Sequence, residues 1–144
     1  MNSQFAVAVH ILALLEYAPA PSLSSNQIAA SVNTNPVVIR RILGLLKEAG
    51  LVATVCGMDG GTCLARQASM ISLYDVYCAT VQKPLWKMHT NPPNNDCPCG
   101  RTIQTALNTV FYETENAISH VLQKRNIADV VLEMCHDLER GTAA

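Results

Sequence analysis

No stretch of this sequence stays apolar for the about eighteen residues that a membrane-spanning helix needs. The apolar segment over 5–15 has no basic leader before it and no small-residue cleavage signal after it, so we expect a buried helix rather than a signal peptide. In a chain that is not secreted, six cysteines are expected to be reduced thiols rather than a disulfide framework. These absences predict a cytoplasmic protein that has no membrane partner.

The sequence also lacks the motifs that carry the common enzymatic reactions. It has no Ser-His-Asp arrangement, no phosphate-binding loop and no zinc-ligand spacing. Charged residues make up only 15% of the chain against 49% hydrophobic residues, which excludes a disordered chain and indicates a globular one. We therefore predict one domain, or one domain with an appendage, that is not an enzyme.

An excess of basic charge is missing as well, although DNA-binding proteins often have one. The net charge of the 144 residues is −1 and the isoelectric point is about 6.4. The charge is nevertheless uneven, because residues 1–95 carry six Lys or Arg against four Asp or Glu, whereas residues 96–144 carry four against seven. A basic first part and an acidic last part suit a chain whose two ends have different roles.

Local signals predict three helices in the first third of the chain. The segment 3–17 has apolar residues at helical spacing, and two prolines end it. A second helix opens at a capping box formed by Ser24 and Gln27. A third helix, over 36–49, has Asn35 as its N-cap and a proline at its first position.

Two β-prone segments follow, over 51–56 and 62–66, and three of the five residues between them are glycines. Glycines at that density indicate a hairpin whose tip needs positive φ. A fourth helix over 73–81 closes the unit. The order of three helices, a hairpin and a helix is that of a winged helix-turn-helix, so the predicted fold class is mainly α with a small β-hairpin.

A Pro- and Asn-rich loop over 83–96 separates this unit from two further helices. The first of them, over 97–124, has a long apolar stripe that a small domain cannot cover alone, and the last is predicted over 127–138. We assign residues 1–82 to a winged helix-turn-helix DNA-binding domain, the loop to a region that could act as a sensor, and residues 97–144 to a helical dimerisation region. The predicted dimer contacts are Ile103, Leu107, Val110, Phe111, Thr114, Ile118 and Val121.

The third helix is the candidate for DNA recognition. In a helix-turn-helix the second helix of the motif enters the major groove, and its N-terminal residues contact base edges and phosphates. Here those residues include Val37, Arg40 and Arg41. The arginines can bind phosphates or guanine, Val37 can contact a thymine methyl, and free amides at the helix start suit a phosphate. The alternative is that both arginines belong to a solvated helix face.

Several segments of the sequence together resemble one protein family. They are FAVAVHIL over 5–12, the segment 25–32, NTNPVVIRRIL over 33–43, AGLV over 49–52, the glycines of 57–61 with Leu64-Ala65, Ile71-Ser72-Leu73 with Val76-Tyr77, and NNDCPCG over 94–100. On these segments the chain resembles the Rrf2 family of transcriptional regulators. The resemblance implies a winged-helix homodimer in which the long helices cross, with two recognition helices in successive major grooves of a dyad-symmetric DNA operator.

We accordingly predict a homodimeric repressor that binds double-stranded DNA. The predicted DNA contacts are Ser25, Thr34, Asn35, Pro36, Val37, Val38, Arg40, Arg41, Met58, Gly60 and Gly61. The hairpin departs from the family's pattern, because Cys56 stands where several members have a basic residue and Thr62 where an aromatic residue is common. The alternative function is that of a winged-helix protein-interaction subunit that does not bind DNA.

Cys97 and Cys99 stand at the start of the long helix and have three alternative roles. Cluster-binding members of the family have three spaced cysteines in this region, and two would need further ligands such as His89 or Asp96, so we predict no cofactor and no metal site. The pair could sense oxidants or electrophiles, because the helix dipole favours the reactive thiolate. They could also be ordinary packing thiols.

The other cysteines and the single tryptophan are expected to be structural. Cys78 and Cys135 lie on apolar helix faces and should belong to the core. Cys56 and Cys63 flank the hairpin and could be cross-strand neighbours. Trp86 could line an effector pocket or anchor the loop by packing.

Overall fold

The computed structural model describes residues 3–58 and 60–142. These residues form six α-helices, one antiparallel hairpin and one 3-10 turn, which confirms a mainly α chain with a small hairpin. In chain order the elements are α1 (Gln4–Tyr17), α2 (Ser25–Val32), α3 (Pro36–Glu48), β1 (Val52–Val55), β2 (Gly61–Leu64), the 3-10 turn (Ala68–Met70), α4 (Leu73–Thr80), α5 (Pro98–Gln123) and α6 (Ile127–Thr142). None of the described helices is long and apolar enough to cross a membrane.

The described residues form two compact units. The first comprises residues 3–82 and 122–142, and the second comprises residues 83–121. The chain therefore leaves the first unit after α4 and returns to it at the end of α5. The segment 97–144, which the sequence assigned to one helical region, is divided between the two units.

Capping boxes start α2 and α4 in the first unit. The capping box predicted for α2 is confirmed: the Ser24 hydroxyl accepts a hydrogen bond from the Gln27 amide at 3.2 Å, and the Gln27 side chain accepts one from the Ser24 amide at 2.8 Å. Ser72 and Asp75 form an equivalent box at the start of α4, with distances of 3.0 and 2.9 Å. Each box satisfies two amides that the first turn of a helix leaves without a partner.

The core of the first unit surrounds α1, which packs on α2, α3, α4 and α6. The large, fully buried apolar side chains are Ile11, Leu12, Ile28, Ile39, Ile42, Leu46, Leu51, Ile71, Val76 and Ile127. Burying a side chain of this size stabilises a fold by about 1.5–3 kcal/mol. The core is therefore built by residues from both ends of the described chain.

Helix α6 belongs to this core although it follows the second unit in the sequence. Asn126 and Asp129 exchange side-chain-to-amide hydrogen bonds of 2.9 Å at its start. The Ile127 amide donates to the Ile71 carbonyl at 3.0 Å, and the Ile127 side chain is fully buried. The start of α6 is thus bound to the segment before α4.

The hairpin pairs Val52 with Leu64 and Ala53 with Cys63. Cys56 follows the end of β1, so Cys56 and Cys63 are not cross-strand neighbours. All six cysteines lie within the described residues and are free thiols.

Cys78 and Cys135 are not core residues, and that prediction is wrong. Cys78 is exposed and Cys135 is only partly buried. Val76 and Thr80 provide the buried face of α4, and two residues beyond Val76 a helix has turned by about 200°. Cys78 therefore points away from the core.

The second unit consists of the loop after α4 and most of α5. Trp86 stacks on Phe111 of α5, with ring centroids 5.7 Å apart and an interplanar angle of 10°. At the other end of the loop, a Cβ added to Gly100 would lie 2.1 Å from the Asn94 carbonyl oxygen, so the loop and the helix approach closely there. Trp86 therefore anchors the loop, which is one of the two roles considered for it.

Candidate nucleic-acid interface

Helix α3 has one buried face and one exposed face. Ile39, Ile42 and Leu46 are buried in the core of the first unit. The opposite face is exposed and consists of Val37, Arg40, Arg41, Gly44 and Lys47. Ala49 is also exposed, because it lies beyond the last turn of the helix.

The start of α3 is closed by its own cap. The Asn35 side chain accepts a hydrogen bond from the Val37 amide at 2.9 Å, and the Asn35 carbonyl accepts from Val38 at 3.0 Å and from Ile39 at 3.3 Å. Pro36, at the first helical position, has no amide hydrogen. The expectation that free amides here bind a phosphate is therefore wrong. Ligand contacts at this end of α3 are left to side chains.

The other end of α3 is capped by Arg66, a residue that the sequence analysis did not select. Its guanidinium donates to the carbonyls of Gly50 and Ala49, both at 3.4 Å. A cation at this position opposes the negative end of the helix dipole. Because Arg66 follows β2, it also connects the base of the hairpin to α3.

An open groove of about 740 Å³ lies between α3 and the hairpin. Arg40, Gly44 and Lys47 line it from α3, and Thr54 and Thr62 line it from the hairpin. The other lining residues are Ser24, Ser25, Leu43, Val52, Val55, Cys56, Gly57, Gly60 and Gly61. Arg40 and Lys47 are the only charged side chains among the described lining residues, and both are cations.

Gly44 lies between the two cations on one face of α3, because Arg40, Gly44 and Lys47 are spaced four and three residues apart. A glycine inside a helix destabilises it by about 0.5–1 kcal/mol relative to alanine. Nothing lies within 4 Å of the position that a Cβ on Gly44 would take. Packing within the described residues therefore gives no reason for a glycine here.

The two glycines before Thr62 do have a structural reason. A Cβ on Gly60 would lie 2.4 Å from the Val55 carbonyl oxygen, and one on Gly61 would lie 2.5 Å from the Leu23 carbonyl oxygen. A larger residue at Gly61 would push the hairpin away from the segment before α2, and one at Gly60 would collide with the backbone of the hairpin itself. Both glycines are needed for the shape of the hairpin, whatever they contact.

The predicted DNA-contact residues fall into three groups. Four of them line the groove, namely Ser25, Arg40, Gly60 and Gly61. Three are exposed outside its lining, namely Val37, Arg41 and Met58. The remaining four form the turn and the first residues of α3, namely Thr34, Asn35, Pro36 and Val38. The groove is also lined by Gly44, Lys47 and Thr54, which are not among the predicted DNA contacts. Gly44 follows Arg40 by four residues and Lys47 follows Gly44 by three, so helical spacing indicated that these two lie on the same face as Arg40.

None of the 26 residues of α5 is buried. On the stripe predicted for dimer contact, Val110 is 53% exposed and Val121 is 60% exposed. The other members of the stripe are partly buried, namely Ile103, Leu107, Phe111, Thr114 and Ile118. Phe111 is covered on one side by Trp86.

Cys97 and Cys99 are exposed thiols where the loop meets α5. The Cys97 amide donates to the Asn94 carbonyl at 3.3 Å. The described residues contain no group of three or more His, Cys, Asp or Glu that could hold a metal ion. An iron–sulfur cluster usually takes about four protein ligands, and among the described residues Cys97 and Cys99 belong to no such group.

Comparison with known proteins identifies the family. Residues 1–133 match Rrf2, described as an iron-dependent transcriptional regulator family. YwnA of Bacillus subtilis, named as an HTH-type transcriptional regulator, is 41% identical over 132 residues, which is 91% of this chain and 96% of that protein.

Two solved structures agree with this match. A protein described as DNA-binding is 38% identical, with a TM-score of 0.69 over 89% of this chain and 98% of that one. A transcriptional regulator from Lactobacillus plantarum is 26% identical, with a TM-score of 0.80 over 99% of both chains. The predicted winged helix-turn-helix fold is thereby confirmed, and the chain belongs to the Rrf2 family of transcriptional regulators.

Proposed function

We propose that this chain is a cytoplasmic repressor that binds double-stranded DNA as a homodimer, at an operator with dyad symmetry. The observation that carries the proposal is the exposed face of α3, where Arg40 and Arg41 stand beside a positively charged groove. The descriptions of its relatives, an HTH-type regulator and a DNA-binding protein, support it.

The side chains of α3 supply the contacts. Within the described residues neither Arg40 nor Arg41 forms a salt bridge, so both guanidinium groups are available for phosphates or for O6 and N7 of guanine. Val37 is 64% exposed at the start of the helix, where an apolar side chain can contact a thymine methyl. These three residues provide both phosphate and base recognition.

The dimer part of the proposal is supported by α5. An amphipathic helix of 26 residues that buries none of them needs another surface to cover its apolar stripe. A second copy of the same helix is the simplest partner, because a two-fold axis places the same stripe on both sides. Two α3 helices related by that axis enter major grooves about 34–36 Å apart, which is why the operator has dyad symmetry.

Selection of binding sites from a pool of random duplex DNA tests this function. We expect the parent protein to enrich a dyad-symmetric sequence and to bind it less tightly as salt rises, because each neutralised phosphate contributes about −0.9 to the slope of log K against log salt. A protein-interaction subunit that does not bind DNA would retain no duplex, and that result would reject the proposal.

Thiol sensing is a second proposed property, supported by the exposure of Cys97 and Cys99 at a tight junction. A group added to Cys99 stands next to Gly100, which has no space for even a Cβ against Asn94. We propose that the polar or bulky group which oxidation or alkylation adds at this junction displaces the loop from the start of α5. In a dimer held together by α5, such a change alters the spacing of the two DNA-binding helices and lowers operator affinity.

A further inference from the structure

Gly44 and Lys47 have no role in the function as proposed so far, yet they occupy the middle and one end of the groove. The other cation of α3 at the groove, Arg40, lies seven residues before Lys47, which is about 10 Å along the helix axis. Between the two cations α3 lines the groove with Leu43 and Gly44, and Gly44 has no side chain there. The groove therefore has open space against α3 between its two positive charges.

The chemistry of the groove matches a polyanion with sugar between its charges. Lys47, like Arg40, forms no salt bridge within the described part of the chain. Ser25, Thr54 and Thr62, which carry hydroxyl groups, also line the groove. Leu43 and Val52 add apolar surface to the lining, which suits the carbon atoms of a sugar.

The position of the groove between α3 and the hairpin indicates which part of a DNA duplex would lie in it. A helix in a major groove and a hairpin beside the adjacent minor groove are separated by one sugar-phosphate strand of the duplex. In this protein the space between α3 and the hairpin is the groove. We infer that this groove holds the sugar-phosphate strand between the two DNA grooves, that Lys47 binds one of its phosphates, and that Gly44 is a glycine so that the strand can approach α3.

This inference rests on the proposed DNA binding. It gives a reason for the glycine at position 44, which the packing of the folded chain does not explain. Glycine at position 44 lowers the stability of α3, and no other part of the described chain occupies the space that a side chain would fill. We therefore attribute the glycine to a ligand that approaches the helix at this position. Contact with the strand positions the protein on any duplex and carries no sequence information.

Substitution of Gly44 separates folding from binding, because the two should change in opposite directions. We expect Gly44→Ala to raise the Tm by about 3 °C through better helix propensity, and to weaken duplex binding. Gly44→Leu should weaken binding further, by about tenfold, and to the same extent for the operator and for a duplex of unrelated sequence.

Substitution of Lys47 tests the phosphate contact directly. Lys47→Gln should reduce the slope of log K against log salt by about two units on both duplexes, one for each subunit of the dimer. The control is Arg140→Gln, which removes the same charge from α6, a helix that packs on α1 and on the 3-10 turn. It should leave the slope unchanged.

The outcomes distinguish this inference from the proposed function. If the parent binds duplex DNA with a salt-dependent affinity but Gly44→Leu binds equally well, the groove holds no DNA strand and the inference is wrong. A loss confined to the operator would also overturn it, because that pattern belongs to a base contact. If the parent retains no duplex at all, the proposed function itself fails.

Discussion

Arg40 and Arg41 are adjacent in the sequence but have different surroundings. Arg40 lines the groove beside the hairpin, whereas Arg41 is exposed outside that lining. Replacement of both by Ala should weaken operator binding and reduce the salt slope by about four units, one for each of the two charges lost from each subunit of the dimer. Operator titrations at several salt concentrations measure both quantities.

The control for this double variant is Arg140→Ala, which removes a charge from α6. Circular dichroism must show the same helix content as in the parent. A folded double variant that binds its operator as tightly as the parent would mean that α3 is not the recognition helix.

Arg66 acts on stability through its hydrogen bonds to the end of α3. Arg66→Ala leaves the carbonyls of Ala49 and Gly50 to water and removes a charge that opposes the helix dipole. We expect the free energy of unfolding to fall by about 0.5–1 kcal/mol, measured by urea denaturation. Arg66→Lys keeps the charge and should lose less. If Arg66→Ala unfolds at the same urea concentration as the parent, the cap contributes nothing.

The start of a helix could be predicted from the sequence where neighbouring residues form its cap. Ser24 with Gln27, and Asn35 with the proline after it, carry their caps within four residues. Arg66 could not be predicted in the same way, because 16 and 17 residues separate it from the carbonyls that it binds. The prediction of free amides at the start of α3 is wrong, because Asn35, which caps the helix, accepts hydrogen bonds from these amides.

The junction between the loop and α5 offers a test of thiol sensing. Mild peroxide or a quinone should lower operator affinity of the parent, while the double variant Cys97→Ser with Cys99→Ser should not respond. The chain's only tryptophan, Trp86, stacks on Phe111 and reports loop movement by its fluorescence.

Each single serine variant shows which thiol is responsible. If the parent keeps full affinity while its thiols are shown to be modified, there is no switch at this junction. A double variant that responds like the parent would move the sensor to another cysteine.

For the whole molecule, the dimer is the central expectation. Val110→Asp should weaken dimerisation by at least about 100-fold, because an unpaired charge buried in an interface costs about 3–5 kcal/mol. Val110 is 53% exposed in one chain, so the monomer should tolerate the change. Sedimentation at micromolar concentration measures the result, and Leu107→Asp should behave in the same way.

Tyr112 provides a matched control on the same helix. It is 67% exposed and lies about 200° around the helix axis from Val110. Tyr112→Asp should leave the dimer intact. A parent that sediments as a monomer, or a Val110→Asp variant that stays dimeric, contradicts the proposed interface.

The arrangement of the whole chain was the hardest part to predict. The apolar pattern of the last helix shows that it has a buried face but not what covers it. The structure packs α6 on α1, at the opposite end of the sequence, with Ile127 in the core. The groove was missed for a related reason, because α3 and the hairpin each contribute half of it and neither half is a recognisable motif.

The return of α6 to the first unit has a consequence for the synthesis of the protein. A chain is made from its N-terminus at about 5–20 residues per second. The helices and hairpin that form the groove are complete early, but their core lacks Ile127 until α6 has left the ribosome. We therefore expect an unfinished chain to hold α1 and the 3-10 turn, on which α6 packs, less firmly than the finished protein does. The first unit, which contains α3 and the hairpin, would therefore reach its full stability only after α6 has been synthesised.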